Sequence, residues 1–424
     1  MKNDLEIMGR TALFRAKESE PGTPSENGGV SVALDPGSAI TSAETTEHDA
    51  DTIHGSELPA SIFSAGREAS GALSQKAAKP DFMAFVLACF FGKCTSEAAG
   101  ATGFMHTITS DPSPVLPTFT AVQKRGGGIM AERLSGNAVD SFAIEVGDGW
   151  VAASADIIGT GHRETNYTKE TVTAPANAAS ITLDANGVHG ADALERLANL
   201  YRVRAKDGGS DAWSVLSVAT VSADVPAAIT FAAPLGESAD PVGYEVDYIP
   251  TEPAWCALPD FIDESPMRLV DAKVIVDGHF DGTSITGGEE LRGALRSLVI
   301  SGVNNAELRR FPGEGGPAAE VTRARREITI SLTESMRTTV RARQADFPEI
   351  GRLSLMLVIR GAQMDPGSGK YFGAELVFPN CGILAAPVTT EGGRLAHAGD
   401  LVVMDDGTYG GALVRLFNKQ AGYL

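Results

Sequence analysis

Hydrophobic and polar positions alternate with a period of two over much of this chain, which predicts a mainly β protein. Clear examples are FMHTITS at Phe104–Ser110, the stretch from Val139 to Gly159, and REITISLTES at 326–335. Successive side chains of a strand point to opposite faces, so this pattern indicates strands with one buried and one wetted face. We expect the Gly-Asp-Gly sequence at 147–149 to form a hairpin turn within the second stretch.

Three segments depart from the alternation and predict helices. Residues 79–93, KPDFMAFVLACFFGK, are apolar on every side, with Pro80 suited to open a helix and Gly92 to close it. A helix that is apolar all round belongs in a core. A short second helix is expected at 191–200, and an arginine-bearing third one near 336–345.

Changes in texture along the chain predict three domains. Residues 1–164 combine an acidic, turn-rich N-terminal arm with strands and the apolar helix. Residues 165–256 contain short strands separated by turn signals, which is typical of a small β-sandwich. Residues 257–424 return to long apolar strands. The related sequences AERLSGN at 131–137 and AELVFPN at 374–380 suggest that the outer domains are duplicates and that the middle one is an insertion.

Composition limits the classes of function. The 424 residues include 54 Asp and Glu against 35 Lys and Arg, a net charge of −19, which disfavours a protein that grips nucleic acid. The longest apolar run, Phe82–Phe91, is too short to span a bilayer, which takes about 20 residues. The first ten residues do not resemble a secretory signal, so we expect synthesis in a cytoplasm and no membrane partner. The scattered Cys89, Cys94, Cys256 and Cys381 favour buried thiols over a disulfide framework.

The segments of this sequence that resemble catalytic or metal-binding motifs do not match those motifs fully. The segment 367–370, GSGK, resembles the end of a phosphate loop, but Met364 and Tyr371 stand where that motif needs Gly and Ser or Thr. His106 lies on a predicted strand and is expected to be a packed or half-exposed strand residue rather than a general base. Asp405–Gly407 is interpreted as a hairpin turn rather than a calcium loop. We therefore expect no catalytic residue, no metal and no cofactor.

Positive charge concentrates between residues 309 and 343 of this acidic chain. A nucleic-acid site, a solvated helix face and a contact with another copy of the chain all fit this pattern. We favour the last, because the stretch Thr41–Glu57 holds five carboxylates and no Lys or Arg. The candidate inter-subunit contacts are Arg323, Arg325, Arg326, Arg337 and Arg341.

The order of segments in the two outer domains is the most informative feature. The first contains REASGALS, the apolar helix, MHTITSDPSPVLPTFTAVQKR and LSGNAVDSFAIEVGDGWVAASADIIGTG. The second contains LRSLVISGVNN, REITISLTES, LSLMLVIRG, FGAELVFPNCGI and VRLFNK. This order, over about residues 60–162 and 260–420, resembles that of the tail tube proteins of long-tailed bacteriophages, although no single motif is diagnostic.

The resemblance implies a virion structural protein of the phage tail that is not an enzyme. It implies two tail-tube-like β-sandwich or barrel domains, copies joined into stacked rings, and a hollow tube through which DNA passes. Two such domains in one chain imply a trimeric ring with pseudo-sixfold symmetry, an outward-projecting middle domain, and other tail proteins as further partners.

A pore that lets DNA slide must not bind it, and wall carboxylates repel phosphate. The candidate lumen-facing acids are therefore Glu145, Asp148 and Asp156.

Two other classes of function stay open at this stage. A baseplate or sheath component would share the β texture and the acidity. A carbohydrate-binding protein would use Trp150, Trp213 and Trp255 as sugar platforms, although tryptophans are more often core residues and no carboxylate pair accompanies these.

Overall fold

The computed structural model describes most of the chain between residues 9 and 424. The described residues are 9–48, 62–125, 130–147, 149–206, 213–250, 253–291, 295–311, 316–336, 352–365, 369–391 and 394–424. Within these ranges the protein is mainly β, as predicted, with several antiparallel sheets and two α-helices.

The first third of the chain holds nine strands and the longer helix. They are β1 Arg10–Phe14, β2 Gly29–Val32, β3 Ala39–His48, β4 Ile62–Gln75, α1 Pro80–Phe91, β5 Gly92–Ala98, β6 Phe104–Ser110, β7 Phe119–Arg125, β8 Met130–Val146 and β9 Val151–Thr165. The predicted strands at 104–110 and 139–159 are thus confirmed, while Asp148 of the predicted hairpin turn lies outside the described residues.

The middle of the chain holds seven short strands and a short helix. They are β10 Thr168–Pro175, β11 Ser180–Thr182, α2 Ala193–Ala198, β12 Leu200–Lys206, β13 Trp213–Val215, β14 Val218–Val221, β15 Ala228–Phe231 and β16 Pro241–Tyr248. The predicted helix at 191–200 is confirmed with slightly shorter bounds.

The remainder holds thirteen described strands. They are β17 Ala272–Val276, β18 His279–Phe280, β19 Ile285–Thr286, β20 Glu289–Glu290, β21 Leu295–Val303, β22 Ala306–Arg309, β23 Glu320–Arg323, β24 Glu327–Ser335, β25 Arg352–Gln363, β26 Tyr371–Ala385, β27 Val388–Glu391, β28 Arg394–Val403 and β29 Leu413–Asn418. Short 3-10 turns occur at Ala254–Cys256 and Leu269–Asp271. The helix predicted near 336–345 falls outside the described residues, apart from Met336.

The chain divides into two compact units. The smaller comprises Met1–Thr11, Val122–Arg133 and Arg163–Leu258, and the larger comprises the rest.

In the smaller unit two antiparallel sheets share one hydrophobic core. One sheet has the order β10-β16-β12-β13 and the other β11-β15-β14. Their shared core includes Ile229, Tyr244 and Tyr248, each with no exposed surface. One face of each sheet is therefore buried against the other sheet.

The outer face of the four-stranded sheet carries paired charges, and we call it the paired face. Glu245 on β16 lies 2.9 Å from Lys169 Nζ and 2.6 Å from Arg204 Nη2, through its Oε2 atom. Asp247, two residues further along β16, lies 2.5 Å from Arg202 Nη2. Cross-strand pairs of opposite sign are the usual way in which a wetted sheet face carries charge.

In the larger unit α1 is the centre of the core. All twelve of its residues are buried, as its uniformly apolar sequence predicts. Pro80 occupies the first turn, where its missing N–H costs nothing, and Gly92 ends the helix in the left-handed conformation (φ 90°) that favours glycine. α1 packs against β5, β6 and β29. None of the helices in the described part of the chain is long and apolar enough to cross a membrane.

The strands of the larger unit form a branched antiparallel sheet. β8 pairs with β21, β21 with β24, and β24 with β28. β9 pairs with β4, and β4 with β3. Beyond β28 the long strand β26 connects to β25 and β29, and β29 connects to β6. Strands from the first and last thirds of the sequence thus belong to one hydrogen-bonded sheet.

A buried polar network holds both chain ends of this unit against α1. The guanidinium of Arg15, which is 1% exposed, forms an ion pair with Asp81 in the first turn of α1. Tyr423, near the C-terminus, donates its hydroxyl to Asp81 Oδ1 over 2.7 Å. Buried charges are tolerated only when they are paired and hydrogen-bonded, and this network meets that condition.

Candidate functional site

Four consecutive strands of the larger sheet bury one face and wet the other. In β24 the residues Ile328, Ile330 and Leu332 are buried, while Thr329 and Ser331 between them are exposed. The same alternation runs through β8, β21 and β28. The apolar face belongs to the core around α1, so the opposite face is a broad surface of the protein.

Backbone register aligns the wetted residues into rows across these strands. Glu145 on β8 is opposite Val299 on β21, which is opposite Ser331 on β24, which is opposite Asp400 on β28. Ser331 Oγ donates to Asp400 Oδ1 over 2.7 Å. Residues in one row are about 5 Å apart from strand to strand, so these side chains form one surface.

β9 extends this surface on the side of β8. Ser141 Oγ on β8 donates to Asp156 Oδ2 on β9 over 2.6 Å, which places both side chains on the wetted face. In the neighbouring row the hydroxyls of Ser301 and Thr329 are 2.9 Å apart. Short hydroxyl side chains therefore fill the space between the carboxylates and hydrogen-bond to them or to one another.

We call this surface the acidic face. Its residues are Ser154 and Asp156 on β9, Ser141, Ala143 and Glu145 on β8, Ser297, Val299, Ser301 and Val303 on β21, Glu327, Thr329, Ser331 and Thr333 on β24, and Ala398, Asp400 and Val402 on β28. None of these residues is basic or aromatic.

Cations lie only at the margins of the acidic face as far as the structure describes it. Arg325 Nε is 3.9 Å from Glu327 Oε1 at one end of β24, and Arg296 Nε donates to Ser335 Oγ at the other. No described Lys or Arg forms an ion pair with Glu145, Asp156 or Asp400. The interior of the face therefore has a negative electrostatic potential in addition to its short polar side chains.

The predicted lumen acids can be compared with this geometry. Glu145 and Asp156 are both exposed and both belong to the acidic face, whereas Asp148 lies outside the described residues. Their role in lining a lumen stays a prediction. Sequence reasoning missed Asp400 and Glu327. The alternation of β24 could have identified Glu327, but Asp400 joins the surface only through the β24–β28 register.

Arg326, one of the predicted inter-subunit arginines, serves the C-terminal end of α1. Its Nη2 donates to the carbonyl oxygen of Phe90 over 2.7 Å, and its Nε donates to Asn304 Oδ1 over 2.8 Å. The last carbonyls of a helix have no partner within the helix, and this guanidinium supplies one. Burial, together with the charge of Arg323, lowers the pKa of Arg326 to about 10.

Arg323 also donates to backbone carbonyl oxygens, whereas Arg325 is exposed. Arg323 donates to the carbonyl oxygens of Asp111, over 3.0 Å, and of Ser113, over 3.1 Å. The side chain of Arg325 is 87% exposed, and its ion-pair distance to Glu327 is long at 3.9 Å. Arg325 is thus the most accessible of the three.

These three arginines line one groove of about 450 Å³ in the larger unit. Arg337 and Arg341 lie outside the described residues. Contacts of all five arginines with another copy of the chain stay a prediction.

The expectation that the tryptophans are core residues is wrong for two of them. Trp150 is 47% exposed, Trp213 is 40% exposed, and Trp255 is half-buried. Trp213 has the Arg204 guanidinium 4.4 Å and the Lys206 ammonium 5.3 Å from its ring centroid. These long cationic side chains cover part of the Trp213 ring, which lowers the cost of its position at the surface.

His106 is a packed residue, as predicted. It has no exposed surface, and its two ring nitrogens lie 2.8 Å from Ser96 Oγ and 2.8 Å from Asn418 Oδ1. Burial lowers the pKa of His106, which keeps the ring neutral. Cys89, Cys256 and Cys381 are buried thiols, as expected; Cys94 is half-buried, and burial still raises the pKa of its thiol.

The described residues contain no group of three or more His, Cys, Asp or Glu that could hold a metal ion.

Comparison with protein-family models matches residues 9–197 to the family described as phage tail tube protein. No curated protein matches the chain. The matched range includes β8 and β9, which carry Glu145 and Asp156, and it ends within the predicted middle domain.

Proposed function

We propose, from the match of residues 9–197 to the phage tail tube protein family, that the chain is a structural component of the tail tube and that the acidic face lines the lumen of the tube. Members of this family are structural proteins of the virion tail. They polymerise with themselves into the tube through which DNA is ejected, and they are not enzymes.

The observation that carries this proposal is the composition of the acidic face. Five adjacent strands present hydroxyls, small aliphatic groups and carboxylates, and no described position on the face is basic or aromatic. Lysine and arginine hold DNA through its phosphates, and aromatic rings hold exposed bases by stacking. A wall without either offers passing DNA no point of attachment.

The charge of the face supports the same role. Glu145, Asp156 and Asp400 would repel phosphate, and no described Lys or Arg forms an ion pair with any of them. In a narrow pore that repulsion acts from all sides and keeps the duplex away from the wall. Asp148, which follows β8, is assigned to the same lining as an untested member.

We assign the chain three domains, 1–164, 165–256 and 257–424, with the outer two as tube domains. Support comes from the pairing of β8 with β21, which joins strands of the two outer domains in one sheet. Further support comes from the separate core within the middle domain. Three copies would then supply six tube domains, so a ring would be a trimer with pseudo-sixfold symmetry.

Contacts between copies are assigned in part to the arginine groove. Arg325 is the most exposed of these arginines and is the main candidate, and Arg323 and Arg326 line the same groove. Arg337 and Arg341, which lie outside the described residues, are proposed as further contacts. An acidic partner is available on β3, where Glu44 and Glu47 are exposed. Opposite charges on two copies would orient the subunits during assembly.

Cryo-electron microscopy of tubes assembled from the purified chain tests this proposal directly. We expect three chains per ring, with Glu145, Asp156 and Asp400 on the inner wall. An inner wall built from another surface would refute the lumen assignment, and six chains per ring would refute the trimer. Chains that stay monomeric at high concentration would contradict self-assembly under these conditions.

The arginine contact has its own test. Arg325→Glu should slow tube formation, followed by light scattering, by roughly tenfold, because it replaces an attraction between the copies by a repulsion and so lowers their association rate. Arg360→Glu, at another exposed arginine of the larger unit, is the matched control and should assemble at the normal rate. Equal rates for both variants would remove Arg325 from the interface.

A further inference from the structure

A second feature, in the smaller unit, has the properties of a ligand site. Residues of β8, β9, β12, β16 and the turn before β10 enclose an open groove of about 460 Å³. Its lining residues are Met130, Arg163, Thr165, Asn166, Tyr167, Tyr201, Arg202 and Asp247. This volume lies within the roughly 300–1,000 Å³ of small-molecule sites.

Two tyrosines give the groove its apolar surfaces. Tyr167 is 46% exposed and Tyr201 is 41% exposed, and both line it. A tyrosine ring offers an apolar face and a hydroxyl that donates and accepts hydrogen bonds. Burial raises the pKa of Tyr201, so its hydroxyl keeps its proton. Rings of this kind suit a ligand that has both C–H faces and hydroxyl groups.

The charged residues of the groove are already paired. Arg202 contacts Asp247 Oδ2 through both Nε, at 2.8 Å, and Nη2, at 2.5 Å. Arg163 Nη2 lies 2.5 Å from Glu132 Oε1. Each of these two cations therefore has its own carboxylate, so the described lining of the groove carries no excess charge that would attract an anion or a cation. Paired ions still present fixed donors and acceptors to a ligand at their edges.

The groove also has a rigid floor. Asn166 is buried, and its Oδ1 accepts a hydrogen bond from the backbone N–H of Ala131 over 3.0 Å. The backbone N–H of Asn166 in turn donates to the carbonyl oxygen of Ala131 over 3.0 Å. These reciprocal bonds fix the turn that carries Tyr167. Prior positioning of an aromatic ring lowers the entropy that binding would otherwise cost.

We propose that this groove binds a neutral saccharide, with a sugar ring packed on Tyr167 or Tyr201 and its hydroxyls bonded to the edges of the Arg202–Asp247 pair. A pyranose has the required combination of C–H faces and adjacent hydroxyls, and it carries no charge. This site goes beyond the tube function and does not depend on it.

The exposed Trp213 of the same unit is a different kind of site. Arg204 and Lys206 lie over its ring, and Arg204 is part of the paired face. A sugar would have to displace these cations before it could stack there. The tyrosines, and not the tryptophan, are therefore the platforms of this proposal.

Saturation-transfer NMR on the full chain tests the proposal. The probes are glucose, galactose, mannose, N-acetylglucosamine, cellobiose and N,N′-diacetylchitobiose, with glucuronate and glucosamine as charged counterparts. We expect saturable transfer to at least one neutral sugar and weaker transfer to its charged counterpart. The proposal would be overturned if no neutral sugar showed saturable transfer, or if a charged sugar bound more tightly than its neutral counterpart.

Variants locate the site. Tyr167→Ala and Tyr201→Ala should together weaken binding at least tenfold, whereas Tyr201→Phe should weaken it less because the ring remains. Trp213→Ala is the matched control, an exposed aromatic outside the groove, and should bind normally. The melting curve of the double variant distinguishes loss of the site from loss of the fold. Binding that Trp213→Ala removes and the tyrosine variants retain would refute the assignment.

Discussion

Two exposed sheet faces of this protein carry their charges in different ways. On the paired face of the smaller unit, Glu245 and Asp247 each touch at least one basic side chain. On the acidic face of the larger unit, Glu145 and Asp400 touch none of the described basic residues. Both faces are wet, and both belong to antiparallel sheets. Paired charges of opposite sign largely cancel, whereas a face of one sign produces an electrostatic field that acts on charged molecules beyond the surface.

Reversal of the charge of the acidic face should convert it into a surface that binds DNA. Tubes of the double variant Glu145→Lys/Asp400→Lys should bind double-stranded DNA at least about a hundredfold more tightly at low salt, because repeated lysines on the wall contact phosphates. Each lysine engaged should add roughly −0.9 to the slope of log affinity against log salt. Filter binding at several salt concentrations measures both quantities.

The matched control changes the same number of charges on the smaller unit. Asp224→Lys/Glu237→Lys replaces two exposed acids there, and its tubes should bind DNA far more weakly than those of the first variant. Equal DNA binding by the two variants would mean that net charge, and not the acidic face, controls the interaction.

A second test separates the arginines at the border of the acidic face. Arg326→Met should lower the free energy of unfolding by about 3 kcal/mol, because it leaves buried helix carbonyls without their charged donor. Arg325→Met removes an exposed side chain and should change stability by less than about 0.5 kcal/mol. Urea unfolding measures both. Equal losses would mean that Arg326 is no more structural than its neighbour.

A buried carboxylate extends the comparison to a third environment. Glu264 accepts the backbone N–H of Asp81 over 3.1 Å and that of Lys419 over 2.6 Å, and burial raises its pKa to about 7. The folded chain therefore holds the proton more tightly than the unfolded chain, whose Glu pKa is near 4.5. Stability from this group is greatest below that unfolded pKa and falls as the pH rises towards about 7.

The expected change across this window is on the order of 3 kcal/mol. Glu264→Gln should remove that part of the pH dependence, measured as the unfolding free energy at pH values on both sides of the window. A wild-type pH profile in the Glu264→Gln variant would refute the role of this carboxyl.

Glu245 of the paired face makes a small, pH-dependent contribution to stability. A hydrogen bond from Lys169, together with Arg204, lowers the pKa of Glu245. The stability that Glu245 adds is present above its unfolded pKa and is lost as the pH falls through its lower folded pKa. Glu245→Gln should therefore lower the melting temperature slightly at neutral pH, whereas Glu145→Gln should not lower it. An equal decrease for both would erase the distinction between the faces.

Much of the fold follows from local sequence signals. Pro80 and Gly92 mark the ends of α1, and its uniform apolarity gives its burial. The alternation of β24 gives the face of each of its residues without reference to any neighbour. Glu145 and Asp156 are exposed for the same reason. These features depend on a few adjacent residues, and so they can be derived from one sequence.

The remaining features depend on which distant segments meet. Arg326 lies close to Phe90 only because β24 and α1 belong to one core, and spacing along the chain does not give that contact. Asp400 joins the acidic face through strand register alone. The two tyrosines of the groove are 34 residues apart in sequence and meet only through the sheet order of the smaller unit. Contacts of long side chains and the register between distant strands therefore could not be predicted from the sequence.

The pairing of β8 with β21 has a consequence for how such a tube responds to dilution. Six residue pairs, from Leu298 opposite Val146 to Val303 opposite Ser141, join these strands within one polypeptide. An intramolecular junction has an effective concentration set by the connecting chain and not by the solution. Dilution can therefore separate one copy from the next, but it cannot separate β8 from β21 within one copy.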